Sequence, residues 1–134
     1  MRRLAILLTI LATPAAAEPA LSVTAEHQGF REYYCVTKGT LTNTGTDPIR
    51  EVNGFFRIFK AGVEVGHSKG TSFLGLAPGE SMEALFEAPN VPCDTADEYH
   101  FIVSTCMEGT SFINRALCAE NIAGSGTVTA VAPR

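Results

Sequence analysis

The sequence predicts an all-β fold, an antiparallel sandwich of two facing sheets with about seven or eight strands. Short segments alternate between apolar and polar residues, the pattern of a strand with one buried face. Turn-forming Gly, Pro, Asn and Asp residues recur between these segments at short intervals. Almost no stretch has the apolar spacing of an amphipathic helix. In a chain of this length, these features favour a sandwich over a parallel α/β sheet.

The first 17 residues predict a secretory signal peptide. Two arginines precede a short apolar stretch, which ends in three alanines before Glu18. This is the order of a positive start, an apolar core and a small-residue cleavage site. The apolar core is shorter than the roughly 20 residues of a permanent transmembrane helix. We therefore expect cleavage after Ala17, a mature domain spanning residues 18–134 without an integral membrane segment, and a periplasmic or secreted location.

The charge of the predicted mature chain argues against nucleic-acid binding. The full chain has a formal net charge of −4, with ten basic and fourteen acidic residues. Loss of the two N-terminal arginines leaves eight basic residues and a formal charge of −6. A surface of that sign repels phosphate backbones and anionic lipid. We therefore expect no nucleic-acid partner and no binding to an anionic membrane surface.

About eight strands are predicted along the mature chain. The first starts at Leu21, and the others span residues 33–43, 51–60, 63–66, 71–76, 81–87, 99–106 and 127–131. The third has apolar residues on both faces, which is typical of a central strand covered on both sides. Residues 112–122 are expected to form one or two helical turns in a long connection. An immunoglobulin-like sandwich is the preferred arrangement, and a jelly roll or closed barrel is the alternative.

The same alternation predicts which side chains point inward. One face is shared by the alternate residues of each strand. The predicted inward or same-face sets are Leu21, Val23 and Ala25; Cys35, Thr37, Gly39 and Leu41; Met82 and Phe86; and Tyr99, Phe101 and Val103.

Four cysteines in a short exported chain predict two disulfides, because the compartment is oxidising. The preferred pairing joins Cys106 to Cys118 across the long connection, which leaves Cys35 to pair with Cys93. The main alternative joins Cys35 to Cys106. That bridge would link the second strand to the penultimate strand across the core, as in immunoglobulin domains.

A group of residues within positions 36–86 carries a family resemblance. They are Gly39, Leu41, Asn43, Val52, Phe56, Ile58, Phe59, Lys60, Gly62, Leu76, Pro78, Gly79, Glu80 and Phe86. The pattern resembles the FxLYD domain family, although Phe59 and Lys60 replace the Tyr and Asp of the family name. Members are small exported immunoglobulin-like modules in bacteria. The resemblance therefore implies that fold and export, and it implies no catalytic residue.

The chain contains no recognisable motif for nucleophilic catalysis. His27, His67 and His100 are its only histidines, and no Gly-x-Ser-x-Gly elbow is present. The carboxylates of residues 94–98 lack the Gly-containing spacing of a calcium loop and are expected to be solvated. We therefore predict a protein that is not an enzyme and has no cofactor.

Copper binding is the alternative function. His100, Cys106 and Met107 are close in sequence, and Met82 lies on another predicted strand. A blue-copper site uses two His, one Cys and a weak axial Met. However, no His follows Cys106, so the compact ligand loop is missing. His100 is therefore expected on the outer face of its strand, and Met82 in the core.

Four residues at the start of the second strand are candidates for partner binding: Phe30, Arg31, Tyr33 and Tyr34. Tyr and Arg are favoured at the hot spots of interfaces. The alternative is that these aromatic residues cover the bottom of the sandwich. We predict an exported binding or structural accessory domain of the cell envelope. Its expected partner is another envelope protein, contacted through this patch, a sheet edge or the loop from Cys106 to Cys118.

Overall fold

The computed structural model describes residues 19–134, so the predicted signal peptide lies outside the described residues. Ten strands and one helix follow one another in this part of the chain. They are β1 (Leu21–Arg31), β2 (Tyr34–Asn43), β3 (Ile49–Lys60), β4 (Val63–His67), β5 (Thr71–Leu76), β6 (Ser81–Pro89), β7 (Glu98–Glu108), β8 (Ser111–Ile113), α1 (Arg115–Glu120), β9 (Ile122–Gly124) and β10 (Val128–Pro133). A single 3₁₀ turn, Cys93–Thr95, separates β6 from β7. Within residues 19–134, no helix has the length and apolarity needed to cross a bilayer.

The strands form two sheets, which confirms the predicted immunoglobulin-like sandwich. One sheet has the order β6-β2-β1-β9, and the other has the order β10-β7-β3-β4. Strand β5 pairs with the first half of β3, whereas β4 pairs with the second half of β3. Strand β8 pairs with β7. The orders β1-β2-β6 and β3-β7-β10 correspond to strands A-B-E and C-F-G of immunoglobulin domains, whereas β5 pairs with β3 instead of joining the sheet of β6. The pairing is mostly antiparallel, as expected.

The core lies between the sheets and is built around four phenylalanines. Phe56, Phe73, Phe86 and Phe101 are fully buried, and their ring centroids lie 4.7–6.4 Å apart. Gly39 makes this packing possible, because a Cβ atom there would lie only 2.7 Å from a carbon of the Phe86 ring. The predicted inward positions of β1, β2 and β7 are confirmed as buried. On β6, Phe86 is buried and Met82 is half-buried.

The end of the chain differs from the prediction in its strands. The helical turns predicted within residues 112–122 are present as α1, but two short strands that were not predicted, β8 and β9, flank this helix. This segment crosses to the other sheet, where β9 pairs in parallel with β1. The chain then returns to the sheet that contains β7, where β10 runs parallel to β7. Short strands of three residues carry too little alternation to be recognised in the sequence.

The outer face of β3 is covered differently from the prediction. Phe59 is buried there, but its cover comes from side chains of the same sheet. The His100 ring lies 4.2 Å from the Phe59 ring, and the Arg57 guanidinium lies 5.4 Å from it. Arg134, near the end of β10, lies 5.9 Å from the ring of Phe55 in the same way. The long stems of arginine thus cover apolar surface that the prediction assigned to a second layer.

Both disulfides of the preferred pairing are present, Cys35–Cys93 and Cys106–Cys118. The alternative bridge from Cys35 to Cys106 is excluded by the geometry. Cys35 lies at the start of β2, whereas Cys106 lines a cleft beside Asn43 at the other end of that strand. Eight residues of extended strand separate the two ends by about 26 Å. Each disulfide therefore fastens one end of the sandwich.

Candidate functional site

Two predicted binding residues, Phe30 and Tyr33, project from the tip of the β1–β2 hairpin. The phenylalanine is 56% exposed and the tyrosine is 79% exposed, so neither covers the bottom of the sandwich. The hairpin turns through Glu32 and Tyr33, and Glu32 has a φ of +54°, an uncommon value for a residue other than glycine. Asn90 donates its backbone N–H to the Tyr33 carbonyl at 2.9 Å. The tip is therefore held against the neighbouring loop while its aromatic rings face solvent.

The other two predicted binding residues make contacts with the body of the protein. Tyr34 is half-buried, and the Lys69 ammonium lies 4.4 Å from the centre of its ring. Arg31 is 3.8 Å from Glu87, which also lies 3.9 Å from Lys69. Charged groups thus contact the two residues that adjoin the exposed aromatic pair in the chain, so a polar rim lies beside an apolar centre. We call Phe30, Tyr33 and this rim the aromatic tip.

A bulge in β1 brings a histidine to the base of the aromatic tip. The register between β1 and β2 shifts between His27 and Gly29. Without that shift, residues 27 and 30 would lie on opposite faces, because side chains alternate along a strand. Instead, His27 pairs with Thr37 and Phe30 pairs with Cys35, and both partners face the core. Both side chains are therefore directed toward the end of the sandwich.

His27 contacts both sulfur atoms of the Cys35–Cys93 disulfide. Its Nδ1 lies 3.5 Å from the Sγ of Cys35 and 3.5 Å from the Sγ of Cys93. The Phe30 ring packs edge-on against the imidazole, with the ring centres 5.7 Å apart. Both cysteines are fully buried, whereas His27 is half-buried. The imidazole thus lies between the disulfide and solvent.

Two buried hydroxyl groups lie on the core side of this disulfide. Thr37 is 1% exposed, and its Oγ1 lies 3.9 Å from the Sγ of Cys93. Burial raises the pKa of Tyr99, and the nearby Thr37 hydroxyl lowers this pKa by a smaller amount. The Tyr99 hydroxyl makes no hydrogen bond to any residue within the described part of the chain. This end of the apolar core therefore holds an unusual group of sulfur, imidazole and hydroxyl functions, which we call the His27 cluster.

The residues of the predicted copper site do not come together. His100 lies on the outer face of β7, where its Nε2 is 3.0 Å from the Glu98 carboxylate. Met107 is on the same strand but seven residues further along, a distance of about 23 Å. Met82 lies on the other sheet, where its Sδ accepts a hydrogen bond of 3.1 Å from the Leu74 N–H. These three residues therefore form no common metal site.

Two of the three carboxylates of residues 94–98 have partners within the protein. Both oxygens of Asp97 accept the backbone N–H of Ala61, at 3.2 and 3.3 Å. Ala61 has a φ of +48° in the turn between β3 and β4, so this contact supports a strained turn. Glu98 is the partner of His100. These contacts give Asp97 and Glu98 structural roles beyond the expected solvation.

A cleft of about 770 Å³ lies at the opposite end of the sandwich, beside the Cys106–Cys118 disulfide. Leu21 and Ile49 contribute apolar surface to it, and Asp47, Glu108 and Glu120 contribute carboxylates. The cleft adjoins the loop that the sequence suggested as a second contact route. Two side chains of that loop, Phe112 and Leu117, are 72% and 61% exposed.

Within residues 19–134, only one group of three His, Cys, Asp or Glu side chains has its possible metal-ligand atoms all within 4.8 Å of one another. The group consists of His27, Cys35 and Cys93. Sequence reasoning missed this group, although the alternation of Leu21, Val23 and Ala25, continued by one period, places His27 on the inward face. The position of Phe30 had a separate signal in the Gln28-Gly29 pair, since an isolated Gly in a strand pattern indicates a bulge. No family model, curated protein or solved structure matches this chain.

Proposed function

We propose that this protein is an exported, non-enzymatic binding module of the cell envelope, and that it contacts a partner protein through the aromatic tip. The observation that carries the proposal is the exposure of Phe30 and Tyr33 on one hairpin. Burial of each ring against a partner would contribute about 1.5–3 kcal/mol. Two such anchors on one turn are enough to form the centre of a small interface.

The tip is preorganised for binding. The Tyr33 carbonyl is hydrogen-bonded to Asn90, Arg31 is paired with Glu87, and the disulfide Cys35–Cys93 fixes the base of the hairpin. A preformed tip loses less conformational entropy on binding than a flexible loop does. Tyr and Arg beside an exposed phenylalanine are also the residue types enriched at hot spots.

An extracytoplasmic location is part of this proposal, in the periplasm or the extracellular medium. Two disulfides support it, because such bonds persist in oxidising compartments and are rare in the cytosol. The predicted signal peptide and the resemblance to the FxLYD family agree with it. Both of these remain predictions from the sequence.

Site-specific cross-linking tests the proposal. A photoreactive amino acid replaces Tyr33 in one variant and the exposed Leu85, on the outer face of the same sheet, in a control. After irradiation of the producing cells, we expect a cross-linked partner protein with the Tyr33 variant and none with the Leu85 variant. A third variant at Phe112 probes the loop at the opposite end. Cross-links at Phe112 but not at Tyr33 would contradict the assignment to the tip.

Once a partner is identified, substitutions measure the energy of the contact. We expect Phe30→Ser or Tyr33→Ser to weaken binding by about 2 kcal/mol, or about 30-fold in Kd. The control Leu85→Ser should leave Kd within about twofold, because an isolated exposed side chain carries little binding energy. Equal Kd values for all four proteins would refute a role for the tip.

A further inference from the structure

The His27 cluster contains the ligand set of a soft metal ion. We infer that, after reduction of the Cys35–Cys93 disulfide, the two thiolates and the His27 imidazole bind one Cu(I) ion. This inference goes beyond the proposed function and does not depend on partner binding. It also differs from the copper site that the sequence suggested, since none of His100, Met107 and Met82 belongs to it.

The observed distances already match those between ligands of one metal ion. With a metal–sulfur bond of about 2.3 Å and a metal–nitrogen bond of about 2.0 Å, tetrahedral or trigonal angles separate N from S by about 3.5–3.7 Å. The Nδ1 of His27 lies 3.5 Å from each sulfur. Only the two sulfur atoms must move apart, to about 3.8 Å, once their bond is broken. The imidazole therefore needs no rearrangement to become a ligand.

The chain also allows that movement. Cys35 lies in the ladder of three strands, where it pairs with Phe30 and Ala88. Cys93 lies outside the strands, in the 3₁₀ turn that follows Pro92. Reduction thus leaves one sulfur on a fixed strand and the other on a loop. A loop can shift by the small distance required without breaking a sheet hydrogen bond.

The reduction is a thiol–disulfide exchange with an external dithiol. Both cysteines are fully buried, so the exchange requires a local opening of the loop that carries Cys93. One thiolate of the dithiol then attacks a sulfur of the Cys35–Cys93 bridge and forms a mixed disulfide, which releases the other cysteine as a thiolate. The second thiol of the reductant then attacks the mixed disulfide. The dithiol becomes a disulfide and supplies two electrons, and both cysteines become free thiols. They lose their protons to solvent as the metal binds.

The surroundings favour Cu(I) over other ions. Thiolates select Cu(I) or Zn²⁺ among the common metals. A structural Zn²⁺ site takes four protein ligands, whereas the described residues offer three close donors here. Cu(I) accepts three ligands. The Thr37 hydroxyl, 3.9 Å from the Cys93 sulfur, is placed to donate a hydrogen bond to a thiolate, and Phe30 shields His27 from solvent. Such outer contacts stabilise a bound metal.

Anaerobic titration with Cu(I) against a coloured Cu(I) chelator tests this inference on the purified protein. We expect one tightly bound ion per chain after reduction and none in the oxidised protein. His27→Ala should weaken binding by at least about tenfold. The paired change Cys35→Ser and Cys93→Ser should abolish it. Matched controls are Cys106→Ser with Cys118→Ser, and His100→Ala, both of which should retain the ion.

X-ray absorption of the copper-loaded native protein gives a test that does not depend on the folding of any variant. We expect two sulfur ligands and one nitrogen ligand per copper. Coordination by sulfur alone, or equal Cu(I) binding before and after reduction, would overturn the assignment. So would retention of copper by the Cys35/Cys93 variant together with its loss in the Cys106/Cys118 variant. Displacement of Cu(I) by equimolar Zn²⁺ would overturn the choice of metal.

Discussion

Removal of each disulfide is expected to destabilise the protein to a different and calculable extent. The Cys35–Cys93 bridge joins residues 58 positions apart, whereas the Cys106–Cys118 bridge joins residues 12 positions apart. The loss of chain entropy on closing such loops corresponds to about 4.2 kcal/mol for the first and about 2.8 kcal/mol for the second. The difference, about 1.4 kcal/mol, depends only on the ratio of loop lengths.

The four cysteines have similar burial, from 0 to 6% exposed. Replacement of either pair by alanine therefore removes a similar amount of buried sulfur, so the comparison isolates the loop length. Equilibrium unfolding in urea, followed by far-ultraviolet circular dichroism because the chain has no Trp, measures both free energies. We expect the Cys35/Cys93 variant to be the less stable of the two. If the Cys106/Cys118 variant were equally or more destabilised, loop closure would not be the main contribution of these bridges.

Three further substitutions test the packing and the surface, each measured by the same unfolding assay. Gly39→Ala should destabilise the protein by about 1–3 kcal/mol, because the new methyl group overlaps the Phe86 ring; an unchanged stability would contradict the tight packing. Asn43→Ala should cost about 1–3 kcal/mol, because the buried amide donates to the carbonyls of Asp47 and Leu76. A cost below about 0.5 kcal/mol would show that water replaces those bonds. Glu64→Gln should cost at most about 0.5 kcal/mol at pH 7, because its partner Arg57 is exposed. Arg57 lowers the pKa of Glu64, so the stability it contributes is present above the usual pKa of 4.5 and is lost as the pH falls below it. A difference between Glu64→Gln and the native protein that grows in acid would contradict this sign.

The fold was largely predictable because most strands are long and regular. The alternation of Leu21, Val23 and Ala25 correctly indicated the buried face of β1, and Tyr99, Phe101 and Val103 did so for β7. Such patterns follow from the two-residue period of a strand and from burial against one opposing sheet. The disulfide pairing was also predicted correctly, although the sequence left a second pairing open.

The features that the sequence did not predict depend on departures from the two-residue period of a strand. One extra residue near Gln28 changes the face on which Phe30 lies and so places its ring beside His27. The parallel pairing of β10 depends on a crossover through β8, α1 and β9, whose short segments show little periodicity. The exposure of Phe30 and Tyr33 could not be predicted from the sequence, because the same residue types are equally suited to a buried end of the core.

Peptide mapping without reduction determines whether the two predicted bridges exist, and these bridges fix the ends of the sandwich, the base of the aromatic tip and the His27 cluster. Trypsin alone leaves Cys93 and Cys106 on one peptide, so a second protease must cut after Glu98. For protein purified from its producing cells, we expect two linked peptide pairs, Cys35 with Cys93 and Cys106 with Cys118. A peptide linking Cys35 to Cys106, or four free thiols in the native protein, would contradict this pairing.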